Sequence, residues 1–259
     1  MILAQISDPH VRIGPGDAGS AEALSAAVAA VNVLDPRPDA LLLSGDLTDH
    51  ATAAEYERVA ELLAPLPMPI HLLAGNHDDP DQMRAHLSAP GSAGEPLHYS
   101  QTVDSVRLIA CDTTIRGRDD GALGPERLGW LEAELERDRE TPTVLAMHHP
   151  PLLIGAPAVD ELALAETDRH ALADLVARNP QIKRIVAGHV HRGAVGAIGG
   201  CPVFACASSY LQLALDLRPA SEIWLVREPP VFGLHVMVGG DVISHVVPIG
   251  DHGPPFRLS

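Results

Sequence analysis

The stretch "VLAMHHPP", residues 144–151, joins an apolar run to two adjacent histidines and two prolines. Four consecutive apolar residues are typical of a buried strand, and the prolines end it because they cannot donate to a sheet ladder. Neighbouring side chains on a strand point to opposite faces of its sheet. Only one of His148 and His149 is therefore expected to face a site on a given side of that strand.

Four other apolar runs also end in polar clusters. They end at Asp8-Pro9-His10, at Gly45-Asp46, at Gly75-Asn76-His77-Asp78 and at Gly188-His189-Val190-His191. Helical patterns separate these runs, the first of them in a helix that Ser20 is expected to cap. The alternation of strands and helices predicts an α/β fold. From about residue 200 to 259 the helical pattern disappears, and short strands are expected near 202–207, 221–227, 231–238 and 241–248.

Each polar strand end has an ordinary structural explanation when it is taken alone. A strand-end aspartate commonly caps a turn or a helix, and an asparagine commonly occupies a left-handed turn position. In α/β sheets, however, ligands collect at the carboxyl ends of the strands. Carboxylate, imidazole and amide groups together suit divalent metals. Five such ends in one chain therefore predict a metal site where the strands converge.

The composition limits the classes of partner. Net charge is −16, from 18 basic against 34 acidic residues, and Lys183 is the only lysine. Binding to long nucleic acid needs a basic stripe, which this sequence lacks. The chain has no apolar run of membrane-spanning length, and the N-terminus lacks the pattern of a secretory signal. With three cysteines in no metal-type spacing, a cytoplasmic location is expected.

The ordered motifs Asp-X-His, Gly-Asp, Gly-Asn-His-Asp, His and Gly-His-X-His resemble those of the calcineurin-like metallophosphoesterases. The stretches "RPDALLLSGDLTD", "LGWLEAEL", "HHPP" and "GHVH" are similar to the bacterial branch that holds class III cyclic-nucleotide phosphodiesterases and glycerophosphodiesterases. Asp49 stands where some relatives have asparagine. The resemblance implies a single domain over 1–259, a four-layer α-β-β-α sandwich of two packed mixed sheets flanked by helices. It also implies two metal ions per chain, of Mn, Fe, Zn or Co.

The resemblance further implies a role for each motif residue. One metal is expected to bind Asp8, His10, Asp46 and His191. The second is expected to bind Asp46, Asn76, His148 and His189, so that Asp46 bridges the two. His77 is expected to act on the leaving group, with Asp78 orienting it. His149, Arg12 and Arg192 are the candidate contacts to the substrate.

The implied activity is hydrolysis of a small phosphodiester by metal-bound hydroxide, with 3′,5′-cyclic nucleotides such as cAMP as the first candidate substrates. A glycerophosphodiesterase of broad specificity is the alternative. A non-catalytic scaffold on the same fold is disfavoured because every ligand motif and His77 are present. A DNA-processing nuclease is disfavoured because the chain offers neither a basic channel nor a capping domain. The resemblance also implies a homodimer or a higher homo-oligomer, with the β-rich C-terminal part as the candidate interface.

Overall fold

The computed structural model describes residues 1–15, 17, 19–219 and 222–253. In chain order the elements are β1 (Ile2–Ile6), α1 (Ser20–Asn32), β2 (Ala40–Ser44), α2 (Ala53–Leu63), β3 (Ile70–Leu73), α3 (Pro80–Leu87), β4 (Tyr99–Val103), β5 (Val106–Cys111), α4 (Gly124–Arg137), β6 (Thr143–Met147), α5 (Pro157–Asp160), α6 (Glu166–Ala177), β7 (Ile182–Ala187), β8 (Ala194–Ile198), β9 (Cys201–Ala205), β10 (Gln212–Leu213), β11 (Leu225–Val226), β12 (Val231–Val238) and β13 (Asp241–Pro248).

Two mixed sheets dominate the described part of the chain. The first has the order β13-β12-β1-β2-β3, and the second has the order β4-β5-β6-β7-β9-β8. The central strands of each sheet run parallel, while β12, β13, β4 and β8 pair antiparallel with their neighbours. Because β12 lies directly beside β1, the C-terminal part completes the first sheet.

Three apolar clusters separate the four layers. One lies between the first sheet and helices α1 to α3, and a second lies between the second sheet and helices α4 and α6. The third fills the space between the sheets. Alternation along β6 shows the arrangement, since Val144 and Ala146 face the other sheet while Leu145 and Met147 face the helices. The predicted sandwich of two mixed sheets flanked by helices is confirmed.

Some local predictions were wrong. Ser20 does not cap α1 but is its first residue, and Asp17 Oδ1 accepts hydrogen bonds from the backbone N–H groups of Gly19 and Ser20. Of the strand expected near 221–227, β11 covers only two residues, and residue 221 lies outside the described residues. Strand β8 was not expected; alanine and glycine, which are depleted in strands, make up three of its five residues.

Candidate metal centre

The five polar strand ends meet at one edge of the sandwich. The two sheets touch there, since the Nδ1 atom of His148 lies 2.8 Å from the backbone oxygen of Ser44. The backbone is strained at this edge, because non-glycine residues rarely adopt positive φ. Positive φ values of 45° to 68° occur at five of the seven predicted ligands, namely Asp8, His10, Asp46, His189 and His191.

A first group of donors consists of Asp8, His10, Asp46 and His191. One donor atom from each lies within 4.8 Å of the others. The Nε2 atoms of His10 and His191 are 3.0 Å apart, and His191 Nε2 lies 3.5 Å from Asp8 Oδ1. All four residues are buried or nearly so. The geometry gathers the complete ligand set predicted for the first metal.

A second group lies beside the first. The Oδ1 atom of Asn76 is 3.1 Å from His148 Nε2 and 3.0 Å from His189 Nδ1. Asp46 Oδ2 lies 3.4 Å from His148 Nε2 and also 3.4 Å from His10 Nε2, which belongs to the first group. Asp46 therefore stands between the two groups, the position that a bridging carboxylate requires.

Each histidine in these groups is held by the ring nitrogen that faces away from the centre. The partners are Asp49 Oδ1 for His10 (3.2 Å), Ser44 O for His148 (2.8 Å), Leu162 O for His189 (3.0 Å) and Leu211 O for His191 (2.7 Å). Metal-ligating histidines show this pattern, because the outer hydrogen bond fixes the tautomer and leaves the inner nitrogen with its lone pair. The side chains present therefore fit a metal centre.

Two glycines are required by the close packing at this edge. A Cβ atom on Gly45 would lie 2.3 Å from His148 Nδ1, and one on Gly75 would lie 2.1 Å from Asp46 Oδ1. Neither distance is possible between real atoms, so any side chain at these positions would displace a predicted ligand. The glycines that precede the ligand residues therefore leave room for the donor side chains.

The structure separates His148 from His149. His148 continues the alternation of β6 toward the other sheet and reaches Asn76, as described above. His149 contacts the loop between β5 and α4, where its Nε2–H donates to Asp119 O (3.1 Å) and its Nδ1 contacts Thr113 Oγ1 at 2.8 Å. His149 lies close enough to His148 and His189 to form a third donor group with them, but both of its ring nitrogens already have partners.

His77 lies at the rim of the site, with 37% of its side chain exposed. Its Nδ1–H donates to Asp49 O at 3.0 Å, which leaves Nε2 directed away from that bond. Asp78 does not contact this ring: it accepts hydrogen bonds from the backbone N–H of Leu47 and Gly75 and from Tyr56 Oη. The buried carboxylate of Asp78 therefore holds the loop backbone beside His77, and a role in orienting His77 stays a prediction.

Asp49 is the site residue that the sequence reasoning did not assign. Its carboxylate holds His10 and pairs with Arg12, whose Nη2 lies 2.5 Å from Asp49 Oδ2, while its backbone oxygen holds His77. Burial acts to raise the pKa of Asp49, but the hydrogen bonds from His10 and Arg12 hold it well below its usual range. Its position at the end of the motif stretch "SGDLTD", residues 44–49, was the sequence signal that could have pointed to it.

Burial and neighbouring charges shift the pKa values of the two donor groups in ways that favour cation binding. Burial raises the pKa of Asp8 to about 6. Burial also acts on Asp46, but the charge of His148 and a hydrogen bond from its ring hold the Asp46 pKa well below its usual range. Burial lowers the pKa of His189 to about 3, whereas the charge of Asp46 overcomes burial and raises the pKa of His148 to about 9. A cation held by Asp46 and His148 would replace the proton of His148, because a ligating imidazole must be neutral.

A cavity of about 500 Å³ opens onto this edge. Predicted ligands, His77 and Arg12 line one side of it. We call residues 210–219 and 222–226 the arm; its members Tyr210, Leu211, Leu213, Ile223 and Leu225 also line the cavity, together with Leu162.

Two of the three candidate substrate contacts lie away from this cavity. Arg12 lines it, but His149 is fully buried behind it. The guanidinium of Arg192 is engaged by Leu213 O (2.6 Å) and Glu228 (3.1 Å) and does not line the cavity. The geometry therefore supports a direct contact with substrate for Arg12 and does not support one for His149 or Arg192.

Comparison with known proteins identifies the family. Residues 1–193 match the sequence model of the calcineurin-like phosphoesterases. The chain belongs to the calcineurin-like phosphoesterases. The fold agrees, since a dimetal phosphatase from Danio rerio superposes with a TM-score of 0.70 over 97% of both chains at 15% identity.

Relatives of this phosphoesterase carry two kinds of name. A probable glycerophosphodiester phosphodiesterase from Arcobacter nitrofigilis is 33% identical, over 99% of this chain and 96% of its own. A cAMP/cGMP dual specificity phosphodiesterase from Mycobacterium tuberculosis is 31% identical, over 96% of this chain and 80% of its own. The predicted enzyme class, a phosphoric diester hydrolase of the metallophosphoesterase family, is confirmed by these relatives.

Proposed function

We propose that the protein is a dinuclear, metal-dependent phosphodiesterase whose substrates are 3′,5′-cyclic nucleotides such as cAMP. The observation that carries the dinuclear centre is the position of Asp46 Oδ2, 3.4 Å from the inner ring nitrogens of both His10 and His148. The first ion would be held by Asp8, His10, Asp46 and His191. The second would be held by Asp46, Asn76, His148 and His189.

The metal ions, Arg12 and His77 would have different roles in hydrolysis. Two divalent ions, of Mn, Fe, Zn or Co, would supply charge neutralisation and an activated water. Arg12 lines the cavity and stands ready to contact a substrate oxygen from the rim. His77 presents Nε2 beside the centre, and burial is outweighed there by the Asp46 charge, which raises the pKa of His77. A raised pKa keeps a proton available for the oxygen that leaves phosphorus.

The apolar wall of the cavity supports a nucleotide as substrate. Leu162, Leu213, Ile223 and Leu225 line the same cavity as the donor groups. A flat nucleobase gains from contact with such a wall, whereas a glycerol or ethanolamine group is well hydrated and gains little. The relative from Mycobacterium tuberculosis named as a cAMP/cGMP phosphodiesterase agrees with this choice.

A glycerophosphodiesterase of broad specificity is the second candidate. The relative from Arcobacter nitrofigilis that carries this name matches nearly the whole chain. The exposed residue Asp119 also lines the cavity, and its carboxylate suits the ammonium group of an ethanolamine headgroup. The two candidates use the same metal centre and differ in which wall of the cavity selects the substrate.

A hydrolysis panel tests the proposal. Protein loaded with Mn²⁺ is assayed on cAMP, 2′,3′-cAMP, glycerophosphoethanolamine, bis-p-nitrophenyl phosphate and p-nitrophenyl phosphate, with chelator-treated protein as the control. We expect kcat/KM to be highest for cAMP, low for the monoester and abolished by the chelator. Preference for glycerophosphoethanolamine would select the second candidate, and activity that survives removal of the metal would contradict the proposal.

The proposal includes one domain over residues 1–259, a homodimer and a cytoplasmic location. Exposed apolar side chains on the outer side of the arm, where Leu215, Leu217 and Trp224 are 56%, 60% and 62% exposed, support self-association through the C-terminal part. All three cysteines are free and buried, as suits a reducing compartment. No helix within the described residues is long and apolar enough to cross a membrane. Sedimentation velocity of wild type and Trp224→Ser tests the dimer.

A further inference from the structure

A chain of buried polar side chains crosses the space between the two sheets and ends on Asp8. Its members are His235, Gln5, Ser44 and Ser7, and each is fully buried. They lie among the apolar side chains that fill the space between the sheets. Burial of four polar groups in such a core is unfavourable unless every donor and acceptor is satisfied. The hydrogen bonds between successive members therefore determine the role of this polar chain.

The direction of the first steps follows from Gln5. Its Nε2 group donates to Ala187 O at 2.9 Å, and a backbone carbonyl can only accept, so the amide orientation is fixed. Gln5 Oε1 therefore faces His235 Nε2 at 2.9 Å and accepts its proton. Ser244 Oγ completes the far end by donating to His235 Nδ1 at 2.8 Å. Each of these groups has the partner it needs.

The remaining steps lead to the metal centre. Gln5 Nε2 also donates to Ser44 Oγ at 2.8 Å, and Ser44 Oγ donates to Ser7 Oγ at 2.8 Å. Ser7 Oγ donates to Oδ2 of Asp8. The other oxygen, Asp8 Oδ1, is the one that lies 3.5 Å from His191 Nε2. Every donor of this polar chain thus points toward Asp8, and the last one binds Oδ2. The backbone N–H of His189 lies 3.0 Å from Oδ1 and 3.2 Å from Oδ2.

Two glycines leave the space that this chain occupies. A Cβ atom on Gly188 would lie 2.2 Å from Ser7 Oγ and 2.8 Å from Asp8 Oδ2. A Cβ atom on Gly233 would lie 3.2 Å from His235 Nε2 and 3.3 Å from Gln5 Oε1. The backbone beside both ends of this polar chain therefore carries glycine, because a side chain there would push the polar groups apart.

We propose that Ser7, backed by Ser44 and Gln5, positions Asp8 so that Oδ1 alone is presented to the first metal ion. The proposal rests on the dinuclear centre of the proposed function. Hydrogen bonds that run head to tail polarise one another, so the last donor is strengthened by those behind it. Fixing a ligand carboxylate in this way spares it the entropy of choosing between its two oxygens when the metal binds.

The test uses metal affinity and not activity. Metal-free wild type, Ser7→Ala and Asp8→Ala are titrated with Mn²⁺ by calorimetry, and Asp8→Ala identifies the metal position that belongs to Asp8. We expect Ser7→Ala to weaken that position by about 10–100-fold, the usual effect of losing a partner of a metal ligand, and to leave the other position unchanged. Gln5→Met, which breaks the chain two steps further back, should weaken the same position by a smaller factor.

Ser209→Ala is the matched control. Ser209 is equally buried, but its hydroxyl donates to the backbone oxygen of Ser7 (3.2 Å) and not to the polar chain. Equal Mn²⁺ affinities for Ser7→Ala and Ser209→Ala, or equal weakening of both metal positions by Ser7→Ala, would overturn the proposal. If Ser7→Ala does not fold, Gln5→Met against Ser209→Ala decides. Absence of Mn²⁺ binding by wild type would instead overturn the metal centre itself.

Discussion

The strand-end edge and the arm line one cavity, and they differ in how tightly their side chains are held. At the edge, His148 is fully buried and its ring is fixed from both sides, whereas Ile223 and Leu225 of the arm are 44% and 58% exposed. At the edge, strained backbone and closely packed glycines hold the donor atoms in place. The arm offers an apolar surface with few constraints. The edge is expected to carry the chemistry and the arm to select the substrate. Variants of the edge should therefore change metal content or kcat, and variants of the arm should change KM.

The largest effect is expected at the edge, from Asp46→Ala. Because Asp46 Oδ2 lies 3.4 Å from a donor nitrogen of each group, its loss should empty both metal positions and reduce hydrolysis of every substrate below detection. Elemental analysis of purified protein measures this directly, with Asp8→Ala as the matched aspartate variant that should lose one ion only. A full metal content in Asp46→Ala would remove the bridging role.

His77→Ala is expected to have the next largest effect and to depend on the leaving group. The mutant should keep both metals, because the His77 ring bonds to Asp49 O and not to a predicted ligand side chain. Its kcat for cAMP should fall by about 10²–10⁴-fold, the usual range for a general acid. A p-nitrophenolate leaving group scarcely needs a proton, so bis-p-nitrophenyl phosphate should be affected less. The same loss for both substrates would leave His77 as an electrostatic stabiliser at most.

A third comparison uses the two adjacent histidines. His148→Ala should abolish binding of the second ion, because its Nε2 faces both Asp46 and Asn76. His149→Ala removes a buried ring whose nitrogens serve Thr113 and Asp119, so it should lower the thermal midpoint and leave metal affinity within about 10-fold of wild type. Manganese titration separates the two outcomes, and a larger loss from His149→Ala would reverse the assignment.

Variants of the arm should change substrate choice alone. Ile223→Ser and Leu225→Ser remove apolar contact from exposed positions, so KM for cAMP should rise by about 5–10-fold while metal content stays at wild type. The same variants should leave KM for glycerophosphoethanolamine almost unchanged. Trp224→Ser is the control, because Trp224 is equally exposed but does not line the cavity. A similar rise in KM for Trp224→Ser would show that the effect is not one of contact with substrate.

The same contrast explains what the sequence could predict. The strand ends were predictable because apolar runs stop sharply at motif residues such as Asp46 and His148, and parallel strands bring their carboxyl ends to one edge. The choice between His148 and His149 was predictable in principle from strand alternation, which leaves one ring for each face.

Other features depend on contacts that no local pattern records. The carbonyl oxygens of Leu162 and Leu211, which hold His189 and His191, come from loops whose course the sequence does not specify. The hydrogen bond that holds the His77 ring comes from Asp49 O on another loop, a contact that the local motif does not indicate. A strand was expected near 221–227, but the part of the arm that lines the cavity was not predicted, since the strands of the arm are only two residues long.

The smallest expected effect concerns pH and the polar core behind the edge. Burial lowers the pKa of His235 to about 3, whereas the same side chain in the unfolded protein titrates near its ordinary value of 6.5. Between these two values the unfolded state binds a proton that the folded state does not, so this histidine reduces stability as pH falls below about 6.5. One unit below that pH the loss relative to high pH is about 1.4 kcal/mol, and well above pH 6.5 the contribution is constant.

His235→Gln removes this titration but keeps a polar side chain beside Gln5. We therefore expect urea midpoints of the metal-free proteins to fall less for the variant than for wild type between pH 7.5 and 5.5. Other buried histidines, including His149 and His189, also have lowered pKa values and titrate in both proteins, so they cancel in the difference. His170→Gln is the control, since this histidine is exposed on helix α6 and does not belong to the polar core. An unchanged pH slope in His235→Gln would mean that the core around Gln5 admits a charged ring, and that it is less constrained than the metal edge it supports.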